Sequence, residues 1–452
     1  MDSKSAFAAL STPFGISGVA VIRCSGSLCP SLFEEIFFLE SAQPHRAYAR
    51  NYVARDGTPL DLVVVTYYAA PHSYTGESML EISCHGNPFI IQKILEDLCK
   101  RGCRLAEPGE FTRTAFVNGK MDLSQAEAVG DTIHAQSEAA LRVAQNQLAG
   151  VLGRKINGVM DALFAVAAQW ESRIDFPEED LPDGGDDSTI AALEDAQATL
   201  GYLESTARYR PLLDCGIGTV LIGPPNGGKS SILNGLIGKE RALVSHIPGT
   251  TRDFLEEFIS VDNWCLRIID TAGIRQSKDM LERLGMRRSL EKLRFADFVL
   301  LIFDGSVPLE NLDDSLGEIL MEKNGLIVLN KRDLPRAIDD GMLPGIPWPK
   351  VSVSALDCGD MAALRQQIID TLKSNQIVPD GAPCVVNARH RECLLDAIGE
   401  LNAAKSLVKE GASPEFVAAK INYALHGLAR ITGRETTETI LDQIFNKFCI
   451  GK

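Results

Sequence analysis

The sequence predicts a mixed fold of α/β plus α+β type, with an α/β domain inserted in a helical domain and a small α+β domain before both. Four segments of the 452 residues, which differ in the spacing of their apolar residues, indicate this architecture. Short β-branched runs separated by turns occupy residues 1–118, apolar residues at helical spacing follow over 119–212, and strand-like apolar runs alternate with helical segments over 213–375. Residues 376–452 return to a helical pattern, so we expect the two helical segments to pack together.

The first segment carries the signals of a small α+β domain. Runs rich in β-branched residues predict strands at Val19–Arg23, Leu62–Tyr67 and Met79–Ser83, and Phe89–Lys100 has the period of a helix. Cys24 continues the first of these strands, which favours a structural role for its thiol.

The helical segments begin at Ser124–Glu127, which has the form of a capping box and predicts one helix to about Gly153. The acidic stretch Asp175–Asp187 is predicted as an exposed loop. Further helices are predicted at Ile156–Arg173, Ser188–Ala207, His390–Glu410, Pro414–Thr432 and Thr437–Phe448.

Composition excludes several classes of protein. A net charge of −15 and a pI near 5.0 argue against a protein that coats nucleic acid by bulk electrostatics, although Leu401–Lys452 has a small positive balance. No apolar run approaches a membrane span, and the N-terminus is a poor signal peptide, so we expect a cytoplasmic protein without a membrane partner. The 11 cysteines include no CxxC pair, which favours thiols over a zinc site or a disulfide framework.

A phosphate-binding loop follows the first strand of the α/β segment. Residues 223–230 match the pattern GxxxxGK[ST], and the motif follows a predicted strand and opens a helix, as it requires. The glycines allow backbone N–H groups to surround a phosphate, Lys229 reaches the outer phosphates, and Ser230 offers a hydroxyl to Mg²⁺. The candidate contacts in this loop are Asn226, Gly227, Gly228, Lys229, Ser230 and Ser231.

Four further polar segments follow in the order of a Ras-like P-loop GTPase domain. They are Gly249–Asp253, with Thr250 or Thr251 as a Mg²⁺ ligand; Asp270-Thr271-Ala272-Gly273, for Mg²⁺ and the γ-phosphate; Asn330-Lys331-Arg332-Asp333, for guanine; and Ser354-Ala355, for the guanine oxygen. The Asp333 carboxylate suits the two N–H donors of guanine and would be left unpaired by adenine. Together the five segments predict a GTP-binding domain.

The residue that orients the attacking water in hydrolysis is harder to assign from the sequence. Ile274 stands where many small GTPases have a glutamine that orients water, and an aliphatic side chain cannot do so. Glu282 is the candidate for orienting the water, and Lys229 and Asp270 are the other candidate catalytic residues. From the residues alone, however, the simpler interpretation of Glu282 is a solvated carboxylate on a helix. No arginine is clearly placed as a finger; Arg252 and Arg275 stay open, and a monovalent cation on Asn226 would supply the same charge.

These motifs, with four others, resemble the MnmE (TrmE) family of tRNA modification GTPases over essentially the whole chain. The others are Val21–Gly26, Pro108–Leu123, Ile174–Glu179 and Cys449–Lys452. The resemblance implies that, with the flavoprotein MnmG (GidA), which carries FAD, the protein adds an aminomethyl or carboxymethylaminomethyl group to C5 of the wobble uridine of certain tRNAs. It also implies an N-terminal domain that forms a homodimer and takes a one-carbon unit from a tetrahydrofolate such as 5-formyltetrahydrofolate.

The resemblance also assigns residues. It implies a folate site at Arg23, Glu81, Lys120 and Lys452, and K⁺ bound by Asn226 with the carbonyls of Ser245 and Ile247. It makes Ser230 and Thr251 the Mg²⁺ ligands, with Thr250 still open, and places the family's catalytic glutamate at Glu282. Association of two GTPase domains across the nucleotide would then activate hydrolysis.

Two alternatives remain open at this stage. One is a potassium-dependent GTPase that assists ribosome assembly, and the other is a folate-dependent aminomethyl transferase with a regulatory GTPase domain. Two departures from the family pattern bear on the sites: Asn87 stands in His85-Gly86-Asn87, where a second glycine is common, and Gly227 stands where alanine or valine is common. Asn87 is expected to keep a left-handed turn. For Cys449, a nucleophilic or redox role and plain packing beside the folate stay equally open.

Overall fold

The structure is a computed structural model. It describes residues 6–39, 43–175, 185–237, 257–269, 293–309, 314–338, 345–378 and 384–452. No helix in these ranges is both long enough and apolar enough to cross a membrane.

The N-terminal residues form a six-stranded sheet within the described chain, in the order β3-β4-β5-β2-β1-β6. Its strands are β1 (Phe7–Leu10), β2 (Ser17–Ser25), β3 (Ala47–Val53), β4 (Pro59–Tyr68), β5 (Met79–Gly86) and β6 (Arg104–Leu105), and its helices are α1 (Cys29–Phe37) and α2 (Pro88–Lys100). We call it the first sheet. Val63 and Val65 are buried in the core that contains residues of both helices, whereas Leu62 and Val64 point to the other face and are exposed.

The predicted strands and the helix of this domain are confirmed, the strands longer by three or four residues and the helix by one, while β1, α1, β3 and β6 were not predicted. Asn87 does not adopt the expected left-handed turn. Its φ is −108°, and its side chain accepts a hydrogen bond from the Phe89 N–H (2.8 Å), so it is the N-cap of α2.

The helices that follow are α3 (Glu110–Val117), α4 (Leu123–His134), α5 (Glu138–Leu148), α6 (Val151–Asp175), α7 (Gly185–Ser205) and α8 (Arg210–Cys215). The predicted single helix to Gly153 is wrong, because the chain breaks after His134 and Ser137 starts α5 by accepting from the Ala140 N–H (3.1 Å). The predicted capping box is also displaced. Asp122, not Ser124, caps α4 by accepting from the Gln125 N–H, and Gln125 Oε1 accepts from the Asp122 N–H in return.

The second sheet contains six strands in the described residues, in the order β12-β11-β10-β7-β9-β8. They are β7 (Ile217–Ile222), β8 (Glu257–Val261), β9 (Trp264–Ile268), β10 (Phe298–Asp304), β11 (Gly325–Asn330) and β12 (Lys350–Ser352). All neighbours pair in parallel except β8 with β9. The buried parallel strands that the sequence predicts are therefore confirmed, and their carboxyl ends meet at one edge of the sheet.

Six described helices complete the chain: α9 (Lys229–Ile237), α10 (Asp314–Met321), α11 (Cys358–Ser374), α12 (Ala388–Lys409), α13 (Pro414–Thr432) and α14 (Glu438–Phe445). The chain divides into two compact units. One contains residues 1–130, 147–199 and 392–452, with α6 packed along α13; the other contains 131–146 and 200–391, with the second sheet. The three domain boundaries predicted from the sequence, after residues 118, 212 and 375, stay a prediction.

Candidate functional site

The loop after β7 has backbone geometry that requires glycine at two positions. Gly223 has a φ of +146°, and a Cβ there would lie 1.9 Å from the Ile302 carbonyl oxygen. Gly228 has a φ of +90°, and its Cβ would lie 2.0 Å from Asn330 Nδ2. The loop thus runs against the ends of β10 and β11, and larger residues would force it outwards.

The same loop leads into α9, and the first residue of that helix bonds back to it. Asn226 is in the left-handed region (φ +59°), and Lys229 Nζ donates to the carbonyl oxygens of Gly223 (2.9 Å) and Pro224 (2.7 Å). Burial lowers the pKa of the Lys229 ammonium. Ser230 and Ser231 lie in the first turn of α9, where backbone N–H groups and the helix dipole favour a phosphate.

Asn330 ties three loops together at the end of β11. Its Nδ2 donates to the Gly227 carbonyl (3.1 Å), and its Oδ1 accepts from the Ala355 N–H (3.1 Å). The side chain is 2% exposed, so both bonds are shielded from water. Asn330 is therefore placed to hold the phosphate loop against the two loops predicted for the base.

The predicted base-binding residues lie together. Ser354 Oγ donates to Asp333 Oδ1 (2.6 Å), so a hydroxyl on the loop after β12 fixes the carboxylate on the loop after β11. Lys331 has a left-handed backbone (φ +63°), and its ammonium pairs with Asp304 at the end of β10. The structure thus brings Asp333, Lys331 and Ser354 to the carboxyl edge of the second sheet, as predicted.

A second polar cluster lies on the first sheet. Arg23 in β2 and Glu81 in β5 are direct partners in register, and Arg23 Nε donates to Glu81 Oε1 (2.8 Å). Tyr68 in β4 donates to the other oxygen of Glu81 (3.2 Å), and the Arg23 guanidinium lies 5.7 Å from the centre of the Tyr74 ring. Burial, and then the charge of Glu81, raise the pKa of the Tyr68 hydroxyl.

The remaining members of the predicted folate set approach the same sheet. Lys120 Nζ donates to the carbonyl of Pro71 (3.1 Å). Pro71 lies in the loop between β4 and β5 that also carries Tyr74. The Lys452 carbonyl accepts from the Phe111 N–H (3.2 Å), and Ser11, just after β1, donates to the Gly451 carbonyl (3.1 Å). The C-terminal segment therefore lies along the end of β1, next to the strand that carries Arg23.

Comparison with known proteins settles the family. A model described as the MnmE helical domain matches residues 123–449, and one described as the N-terminus of the GTP-binding protein TrmE matches residues 6–120. The tRNA modification GTPase MnmE of Opitutus terrae is 45% identical over 452 residues, which cover 98% of each chain. The MnmE of Akkermansia muciniphila is 40% identical over 456 residues, which cover 100% of each chain. The chain belongs to the tRNA modification GTPase MnmE family.

One solved structure, the FeoB G domain of Methanococcus jannaschii, is 25% identical and covers 35% of this chain and 98% of its own. Its TM-score is 0.26, a likeness too low to support an argument. The assignment of a P-loop GTP-binding domain to this MnmE family member therefore depends on its family membership and on the loops described above.

Several predicted site residues fall outside the described ranges, so their positions stay predictions. They are Ser245, Ile247, Thr250, Thr251, Asp270, Thr271, Ala272, Gly273 and Glu282, together with the two open arginines, Arg252 and Arg275. Among the described candidates, Cys24 is buried in β2, and Cys449 is exposed.

Two carboxylates of this MnmE family member were missed by the sequence analysis. Asp304 accepts from Lys331 and from both donors of Ser306, and Asp360 accepts from the Ser354 N–H (2.7 Å). Burial alone would raise the pKa of Asp304, but the bonds from Lys331 and Ser306 hold it below its ordinary value. The available signal was position: Asp304 is the one charged residue in a strand that is otherwise apolar.

Proposed function

We propose that this protein hydrolyses GTP to drive the modification of tRNA. With a flavoprotein partner of the MnmG type, it would add a (carboxymethyl)aminomethyl group to C5 of the wobble uridine, using the one-carbon unit of a tetrahydrofolate. The observation that carries the proposal is that one chain of the MnmE family contains both sites. Loops suited to guanine lie on the second sheet, and a cluster of opposite charges lies on the first. We also expect it to act in the cytoplasm.

The nucleotide half rests on the loops of the second sheet. Gly227, Gly228 and Lys229 suit the phosphates, and Asn330, Lys331 and Asp333 suit guanine. Mg²⁺ would be held by Ser230 and Thr251, or Thr250, with Asp270. K⁺ would be held by the oxygen of Asn226, whose left-handed backbone gives the loop a sharp turn, with Ser245 and Ile247.

The folate half rests on the chemistry of the first-sheet cluster. A guanidinium and two ammonium groups, from Arg23, Lys120 and Lys452, match the carboxylates of a folate, and Glu81 matches the N–H edge of a pterin. Tyr74 adds an aromatic ring beside Arg23. When bound, the tetrahydrofolate supplies a one-carbon unit; the residues of this chain would bind and orient it.

A homodimer through the first sheet is supported by the face that carries this cluster. Val19 and Leu62 are 58% and 61% exposed, and Val64 is directly opposite Ser83, two residues along β5 from Glu81. An exposed apolar face of this kind is typical of an interface. The folate site and the dimer surface would then share one side of the sheet.

The first test is nucleoside mass spectrometry of bulk tRNA from cells without this gene, complemented with the wild type or with variants. We expect the deletion, Lys229→Ala and Arg23→Ala to lose the C5-aminomethyl class of wobble uridines. Lys93→Ala, an exposed change on α2, is the matched control and should restore them. An unchanged profile in the deletion would contradict the proposal and favour the folate transferase or ribosome-assembly alternatives.

A second test addresses hydrolysis, because Ile274 cannot orient water. GTP turnover should be much faster in K⁺ than in Na⁺, and Glu282→Ala should slow it while leaving GTP affinity nearly intact. Equal rates in the two salts would contradict the cation site. A large loss of GTP affinity in the variant would make Glu282 structural.

A further inference from the structure

Asp360 lies in the first turn of α11 and is 6% exposed, yet it is no part of any recognised GTPase motif of the sequence. Its Oδ2 accepts from the Ser354 N–H (2.7 Å), and its Oδ1 pairs with Arg332 Nη2 (2.7 Å). These two partners belong to different loops, one after β12 and one after β11. A single buried carboxylate therefore joins the two loops predicted to bind the base.

Both partners of Asp360 lie next to Asp333. Arg332 precedes it in the chain, and the Arg332 N–H donates to the Val353 carbonyl (3.1 Å). Ser354 Oγ donates to Asp333 Oδ1 (2.6 Å). Asp360 thus bonds both the residue that precedes Asp333 in the chain and the residue that donates to its carboxylate.

A role as helix cap does not account for Asp360. The N-cap of α11 is Asp357, whose Oδ1 accepts from the Asp360 N–H (2.9 Å). Since that cap is already provided, both oxygens of the Asp360 side chain are available to the loops. A buried carboxylate is costly unless it is paired, and here its partners are the two base loops.

We propose that Asp360 is a positioning residue for guanine recognition: it orients Asp333, through Ser354 and Arg332, so that both carboxylate oxygens meet the base. The inference rests on the proposed role of Asp333. Guanine offers that carboxylate N1–H and the 2-amino group, whereas hypoxanthine offers only N1–H. A tilted carboxylate loses the second hydrogen bond first, so preference for GDP over IDP reports its orientation.

The experiment measures the affinities of GDP and IDP for the full-length protein and its variants. GDP and IDP share ribose and phosphates, so changes at the phosphate loop cancel in the ratio of the two affinities. Asp360→Ala should lower that ratio about tenfold, the value of one hydrogen bond to a charged group. Asp360→Asn keeps an acceptor for the Ser354 N–H and should restore most of the ratio.

Asp357→Ala is the matched control, since it removes the cap of the same helix without touching Ser354 Oγ or Arg332. It should lower the unfolding temperature and leave the ratio unchanged. An unchanged ratio in folded Asp360→Ala, or an equal loss in Asp357→Ala, would overturn the inference. Asp333→Ala separates the two levels. If it leaves the ratio intact, base recognition by Asp333 fails and the inference with it. If it lowers the ratio and Asp360→Ala leaves the ratio unchanged, only the inference fails.

Discussion

The two sheets of this protein place their polar residues in different ways. In the largely parallel second sheet, the candidate residues follow the carboxyl ends of strands, as Gly228 follows β7 and Asp333 follows β11. In the first sheet, Arg23 and Glu81 lie inside strands and meet across β2 and β5, which are antiparallel neighbours. One site is built from loops, and the other from the register of a sheet.

The difference decides what a sequence can reveal. A loop site uses contiguous residues, so its motif survives in the sequence and needs only the rule that parallel strands end at one edge. A pair across strands is separated by 58 residues here, and only the correct register brings its members together. We therefore expect the loop site to be sensitive to backbone changes and the sheet site to side-chain charge.

The largest effect should come from the backbone of the phosphate loop. Gly228→Ala places a methyl group at φ +90° and 2.0 Å from Asn330 Nδ2, so we expect GDP affinity to fall about 100-fold. Gly227→Ala is the matched control, because its methyl would lie 3.2 Å from the Ile302 oxygen and needs only a small adjustment. It should cost about threefold. Similar losses in both variants, measured by calorimetry, would remove the distinction.

The next effect concerns base recognition on the same edge. Asp333→Asn replaces an acceptor of two N–H groups with an amide that can donate, so GTP affinity should fall about 100-fold and xanthosine triphosphate should become the better ligand. Ser354 Oγ can still donate to the amide oxygen, so the loop should keep its position. Competition binding with both nucleotides measures the exchange, and an unchanged preference would remove Asp333 from the base site.

The same contrast explains where sequence analysis succeeded. The strand ends at Ile222 and Asn330 and the motifs after them were predictable, because apolar runs and turn residues mark them locally. Asp360 was not predictable, since its two bonds depend on how α11 meets the loops. In the helical part, Asp122 took over the cap expected at Ser124 because it could exchange two hydrogen bonds with Gln125. The predicted folate residues could be named only from the family resemblance, because the sequence alone does not show the register that places Arg23 opposite Glu81.

On the first sheet, a change of charge should act without a backbone effect. Glu81→Gln keeps the shape of the side chain but removes the charge that pairs with Arg23, and we expect the affinity for 5-formyltetrahydrofolate to fall about tenfold. Glu96→Gln, in an exposed pair with Lys93 on α2, is the control and should have no effect. If both variants bind equally, by fluorescence or calorimetry, the cluster is not the folate site.

The smallest effect tests whether the charge of Asp304 stabilises the fold on the loop side. Asp304 has a pKa held below its ordinary value of 3.8 in the folded protein, so its contribution to stability is present above that value and is lost as the pH falls through the folded pKa. Asp304→Asn should therefore lower the free energy of unfolding by about 1 kcal/mol at pH 7, since its amide still accepts from Ser306 but no longer pairs with Lys331 as an ion. The gap between variant and wild type should stay constant down to about pH 5 and narrow below it. Urea unfolding across this range measures the gap. A gap that is unchanged at acid pH would show that Asp304 acts through the shape and hydrogen bonds of its side chain and not through its charge.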